Sequence, residues 1–285
     1  MNDGLPRALT IAGSDGGGGA GIQADLKVFT VLGVYGMSAV TSVTVQNTMG
    51  VHAVYDLPPE AVGAQIDAVA DDIGVDALKT GMLSTAAVVR VVAAKVTRHR
   101  LDRLVVDPVM VAKGGRALLT DDARQTLKEV LLPLALVVTP NIPEAEILTG
   151  IEIRDVAGMK DAARRVVTDL GARTVVIKGG HLPGGAGGED GEGHGGEGAV
   201  DVFYDGAAFT ELWAPRYHTR NTHGTGCSFS ATITAELARG ATVAEAVRNA
   251  KEFITGAVEH SLDLGRGQGP TNPWAGAARL GRVGG

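Results

Sequence analysis

Residues 8–32, ALTIAGSDGGGGAGIQADLKVFTVL, pass from an apolar run through a cluster of glycines into a segment of helical period. The run at 8–13 is almost wholly apolar, as expected of a strand buried on both faces. Over 21–32 the apolar side chains recur three and four residues apart, which predicts a helix. A strand that turns sharply into a helix is the unit of a parallel sheet with crossover helices. Downstream the alternation continues. Runs rich in Val, Ile and Leu at 36–45, 75–80, 103–107, 134–139 and 173–178 predict strands, and 61–73, 85–97, 121–131 and 158–170 predict helices. The fold class is α/β with a mostly parallel central sheet. In such sheets ligands bind beyond the carboxyl ends of the strands, where this chain places Gly13, Asp107, Thr139 and Lys178.

Two stretches depart from the alternation. Residues 50–57 and 199–217 read as β-ribbons, the second turning at Asp205-Gly206. Residues 184–198 hold nine glycines in fifteen positions and no large apolar side chain. Ordering them costs backbone entropy with no burial to offset it, so a mobile surface insert is expected.

The sequence has 285 residues, 45% apolar, which suits one domain with a large core. The net charge of −6 offers no basic surface for nucleic acid or an anionic membrane, so neither is expected as a partner. No run approaches the roughly 18 apolar residues of a membrane helix. Cys227 is the single cysteine, and the first residues lack the pattern of a secretory signal, so a reducing cytoplasm is expected. A homodimer is the expected assembly.

Gly16 to Gly21 match G-x-G-x-x-G between a strand and a helix. A dinucleotide site also needs an acidic residue about twenty positions on, and none occurs between Asp25 and Asp56. A phosphate-binding loop of the G-x-x-x-x-G-K-[ST] type fails as well, because Ile22-Gln23 stand where Lys and Ser or Thr are required. What remains is a turn that lets another group come close to backbone, or a purely structural one.

Asn221-Thr-His-Gly-Thr-Gly-Cys-Ser-Phe-Ser opens an apolar helix running to about Ala238. Gly224 and Gly226 let the backbone present its N–H groups, and the helix start adds partial positive charge, so Gly224, Thr225, Gly226 and Cys227 form a candidate anion hole. A thiol at a helix entrance is more readily ionised than elsewhere; the alternative is a small buried residue. Thr139-Pro-Asn-Ile-Pro-Glu starts another helix, where Asn141 and Glu144 are either oxygen donors toward hydrated Mg²⁺ or an ordinary helix cap.

Together these segments resemble the ribokinase-like superfamily, and within it the hydroxymethylpyrimidine and phosphomethylpyrimidine kinases of thiamine synthesis. AGSDGGGGAGIQADLK, TSVTVQNTMGV, LKTGML, VVDPVMVAKGG, TPNIPEAEIL, VIKGGH and HGTGCSFSA follow one another in that family's order. The resemblance implies a three-layer α/β/α sandwich, ATP and Mg²⁺ as cofactors, and a small pyrimidine as substrate. It places Gln46, Asp25, Gly13, Met82 and Val109 around the pyrimidine, and Cys227 as catalytic base beside Gly224, Thr225 and Gly226. Asn141, Glu144 and Lys178 would serve the nucleotide, with Asp107 and Glu144 meeting the metal through water. The loop 111–116 would close over the site. Two rival readings are a pyridoxal kinase of the same superfamily and a pyrimidine-binding protein without catalysis.

Overall fold

A computed structural model describes residues 4–110, 118–180, 182 and 198–282. The expected closing loop 111–116, and all of the glycine-rich insert except Gly198, lie outside the described residues.

One sheet of nine strands runs through the molecule in the order β3-β2-β1-β4-β5-β6-β7-β8-β9. Its parallel part comprises β2 (Tyr35–Asn47), β1 (Arg7–Asp15), β4 (Ala77–Thr80), β5 (Leu104–Val106), β6 (Val137–Val138) and β7 (Thr174–Lys178). Antiparallel strands close both edges, β3 (Gly50–Asp56) on one side and β8 (Gly198–Tyr204) with β9 (Phe209–Pro215) on the other.

Two apolar layers cover the sheet because successive side chains of a strand point to opposite faces. Leu9 and Ile11 of β1, with Leu78, Val106 and Ile177, meet α2 (Pro59–Asp72), α3 (Ala86–Arg98), α4 (Asp121–Thr126), α5 (Ile142–Thr149) and α6 (Val156–Thr168). Ala8, Ala77, Val105 and Val176 face the other way, toward α1 (Gly21–Val31), α7 (Thr225–Ala238), α8 (Val243–Glu259) and α9 (Pro273–Arg279). This is the three-layer α/β/α sandwich. Among the described residues no helix is long and apolar enough to cross a membrane.

Local chemistry moves several boundaries from their expected places. Helix α6 starts at Val156 because Asp155 caps it by accepting from the Gly158 amide at 2.8 Å. The segment expected as one helix over 121–131 ends in a π-turn at Leu127–Leu131. A 3₁₀ turn at Leu132–Leu134 follows around Pro133, which lacks an amide donor, and the strand expected over 134–139 shrinks to Val137–Val138. Helices α8 and α9 add to the expected elements.

Candidate active site

Strand β1 has β2 on one side and β4 on the other, so the chain reverses its direction of winding there. Such a reversal opens a crevice at the carboxyl ends of the strands. A cleft of about 470 Å³ lies at that place. Gly13, Gln46, Met82, Val109, Asp107, Asn141, Glu144, Lys178 and Gly224 through Cys227 all line it.

The glycine turn after β1 is organised by one carboxylate. Asp15, almost fully buried, accepts hydrogen bonds from the amides of Gly17, Gly19 and Ala20 at 2.8, 3.0 and 2.8 Å. Its Oδ2 also lies 2.9 Å from His223 Nε2. Burial works to raise the Asp15 carboxyl, but the bonds from His223 and the turn amides prevail and hold it below its ordinary value. His223 directly precedes Gly224, whose φ of 79° is left-handed. A Cβ on Gly224 would overlap the carbonyl oxygen of Gly19. The close approach expected of the first glycine turn is therefore made by the second glycine turn.

Gly224 is the N-cap of α7, and no side chain caps that end. The amides of the first helical turn have no intrahelical acceptor and carry the positive end of the helix dipole. Lys178 stands against this end: a Cβ on Gly226 would lie 3.3 Å from Lys178 Nζ and 3.7 Å from Asp107 Oδ2. Lys178 Nζ donates to Asp107 Oδ1 at 3.1 Å, while Thr139 and Ser230 hydroxyls reach the same carboxylate at 3.3 Å each. Burial disfavours the Lys178 ammonium, yet Asp107 and Glu144 outweigh it and raise its pKa.

Asn141 and Glu144 form a reciprocal helix cap on α5. The Asn141 side chain accepts from the Glu144 amide at 2.9 Å, and the Glu144 carboxylate accepts from the Asn141 amide at 2.9 Å. Both alternatives weighed from the sequence thus concern one arrangement, since the cap also lines the cleft. Burial pushes Glu144 up to about 7, with Asp107 adding to the rise and Lys178 opposing it.

At Cys227 burial works against the helix entrance. The helix entrance does not make the thiol acidic: burial pushes it up to about 11, against the pull of the Lys79 ammonium. Removing a thiolate from water costs more here than one helix end returns.

On the opposite wall, a register shift between Val45 and Gln46 in the β2/β3 ribbon turns Gln46 toward the cleft. Among the described residues its amide has no hydrogen-bond partner, so both a donor and an acceptor remain for a ligand. Gly13 and Met82 fit together closely, a Cβ at Gly13 lying 2.8 Å from Met82 Cε. Asp25 is the exception among the expected residues. It is absent from the cleft lining: its buried carboxylate is bonded to Lys79 Nζ at 2.8 Å and to the Thr10 hydroxyl at 2.6 Å. Lys79 takes the place on the cleft wall.

Lys79 and His223 are the residues that sequence reasoning passed over. The signal for Lys79 was present: a lysine within the buried strand run ALKT needs a partner. His223 gave no such signal, because its partner Asp15 is 208 positions away. Arg266 and Gln268 also reach the cleft, from a loop whose Gln268 amide donates to the Thr48 carbonyl at 2.8 Å.

Comparison with known proteins points one way. The sequence profile described as Phosphomethylpyrimidine kinase matches residues 15–272. A Bacillus subtilis protein named hydroxymethylpyrimidine/phosphomethylpyrimidine kinase is 49% identical over 269 residues, covering 94% of this chain and 95% of its own. A Geobacter sulfurreducens protein named thiamine biosynthesis bifunctional protein ThiED is 52% identical over 264 residues; the match takes in 93% of this chain and 51% of that longer one. Among solved structures, an ADP complex of Bacillus subtilis pyridoxal kinase superposes with a TM-score of 0.83 at 43% identity, covering 97% of this chain and all of the other.

Proposed function

The chain belongs to the phosphomethylpyrimidine kinase family, and from that premise we infer that it is an ATP-dependent kinase of thiamine biosynthesis. Its acceptors are 4-amino-5-hydroxymethyl-2-methylpyrimidine and then the monophosphate of that alcohol. One observation carries the reading: a cleft with an amide, Gln46, that has no partner among the described residues on one wall has Lys178, Asp107, Cys227 and the start of α7 on the other. The first is suited to a ring with donors and acceptors, the second to a phosphoryl group.

In this reading Gln46 bonds the pyrimidine edge while Met82 and Val109 flank the ring. Lys178 steadies the nucleotide phosphates. The amides of Gly226 and Cys227 meet charge that develops on the γ-phosphoryl group during in-line transfer. Cys227 accepts the proton of the hydroxyl, and alignment of the two substrates supplies much of the acceleration. With burial pushing the thiol up to about 11, the thiolate is a minor form of the resting protein at neutral pH. The scarcity of that base is offset in part by its strength.

Mg²⁺ suits the same corner. Asp107 is near enough to disfavour ionisation of Glu144, and a hydrated ion that leans on one or two carboxylates and on phosphates needs no larger protein cage. When bound, it would neutralise phosphate charge.

The first test is product analysis with excess ATP and limiting pyrimidine alcohol. Two equivalents of ADP and a diphosphate are expected; an end point at the monophosphate would remove the second step. Pyridoxal belongs in the same assay, because the similarity to a solved pyridoxal kinase favours it as a second acceptor. No ADP from either compound would leave a binding protein.

We read the chain as one kinase domain, supported by its single sheet, and the cytoplasm as its compartment. A homodimer is supported by the outer face of the β2/β3 ribbon. There Val43 and Tyr55 pair across the strands, and Val43, Val45 and Tyr55 are 47, 47 and 65% exposed. An apolar strip of this kind on a sheet edge calls for a cover. Tyr55→Asp is expected to give a monomer in light scattering at micromolar concentration; an unchanged mass would move the interface elsewhere.

A further inference from the structure

Among the described residues one ion pair has both side chains wholly out of solvent: Lys79 of β4 and Asp25 of α1, 2.8 Å apart and each 0% exposed. Replacing such a pair by apolar groups of similar shape is often neutral or stabilising, so stability gives little reason for it. Its geometry gives another. Asp25 spends Oδ1 on Lys79 and Oδ2 on Thr10. An ammonium has three donors, and among the described residues Asp25 is the sole hydrogen-bond acceptor for Lys79. The other two donors belong to a group in the floor of the cleft that Cys227 also lines.

Lys79 lies two positions after Ala77 on β4 and so is on the same side of the sheet, the side covered by α1 and α7, and Cys227 is in the first turn of α7. Charged groups act on the thiol from every side: Lys79 from β4, Asp25 from α1, Asp107 after β5 and Lys178 at the end of β7. Of the charged groups, Lys79 has the largest influence and favours the thiolate, while the two carboxylates oppose it.

We propose that Lys79 is a positioning residue for phosphoryl transfer, its ammonium serving as counter-charge to the Cys227 thiolate, with Asp25 fixing that ammonium at the cleft floor. The inference rests on reading Cys227 as the base. In the step, the substrate O–H bond breaks and its proton passes to Sγ. The oxygen's electron pair forms the new bond to the γ-phosphorus, and the bond from that phosphorus to the bridging oxygen of ADP breaks. The thiolate charge beside Lys79 is thereby lost as ADP gains one. The thiol later returns its proton to water.

Because Cys227 is the single cysteine, its alkylation by iodoacetamide reports on that thiol alone. Lys79→Met combined with Asp25→Asn removes both members of the pair and leaves no buried lone charge. In this protein the alkylation rate at a given pH between 8 and 10 is expected to fall about tenfold, equivalent to a thiol midpoint about one unit higher. kcat should fall at least about tenfold with KM for ATP within about threefold, since the affected group acts in the chemical step. Asp25→Asn alone, which keeps the ammonium and removes an opposing carboxylate, should alkylate faster than the parent. Equal alkylation rates in the parent and either folded variant would overturn the proposal. Alkylation is read without ATP or pyrimidine, so loss of the Lys79 effect is seen separately from loss of a base role for Cys227, which the activity of Cys227→Ala reports.

Discussion

Cys227→Ala is expected to lower kcat by roughly 10²–10⁴ while leaving the KM values for ATP and the pyrimidine nearly unchanged, the pattern of a lost positioned base. The side chain is small and α7 begins on backbone geometry, so the substitution leaves the anion hole in place. The pH profile gives the sharper readout. With the thiol pushed up to about 11, the thiolate fraction grows tenfold per pH unit across the neutral and mildly alkaline range, so the parent's rate should climb without a plateau below about pH 10. Cys227→Asp should recover part of the lost rate and level off well below that, because a carboxylate ionises near 4 in water and burial moves it only part of the way up. Stopped-flow or coupled ADP measurements from pH 6 to 10 on the three proteins decide the matter. A Cys227→Ala rate within about tenfold of the parent, or superimposable profiles for Cys and Asp, would leave catalysis to the anion hole, Lys178 and alignment.

Gly224→Ala should be the most damaging single methyl group in this protein. Its φ of 79° costs an L-residue roughly 1–2 kcal/mol. Unlike most left-handed glycines, it also faces a backbone atom that cannot step aside, the Gly19 carbonyl, so overpacking adds roughly 1–3 kcal/mol. A melting temperature lower by on the order of 5–15 °C follows. Because the methyl pushes the two glycine turns apart, the anion hole and the first strand's turn shift relative to each other. A displacement near 1 Å at a transfer site costs about a hundredfold in rate. Gly150→Ala is the matched control. Gly150 has a similar φ of 72° with nothing near the added Cβ, so it should lose stability through backbone strain alone and keep its activity. Equal effects at the two positions would show that conformation, and not the interlocking of the turns, makes Gly224 necessary.

Much of the site was legible because its parts are written locally. Glycines before a helix, a thiol in the first turn, a lysine ending an apolar strand and an Asn-x-x-Glu cap each carry their chemistry within a few residues. The two outright revisions concern Asp25 and Cys227, and both come from burial. Asp25 sits on the helix that opens the site, yet the side chain it meets is 54 positions away on β4, and that meeting turns it from the cleft. Cys227 has the helix entrance that favours ionisation, but burial raises it, and the charged groups that act on it, Lys79, Asp25 and Asp107, are all remote in sequence.

The sequence alone therefore determined the α/β class, the order of most strands and helices, the edge of the sheet where the cleft lies, and most of the expected residues that line it. These follow from periodicities of two and 3.6 residues and from turn chemistry, which act over short stretches of chain. Tertiary structure alone decided that Asp15 ties His223 to the first glycine turn, that Lys79 stands where Asp25 was expected, and in which direction Cys227 and Glu144 titrate. Each of these depends on distances between residues remote in the chain and on how much water remains around them. Electrostatic energies in a protein vary steeply with both quantities, and neither is set by neighbours in sequence.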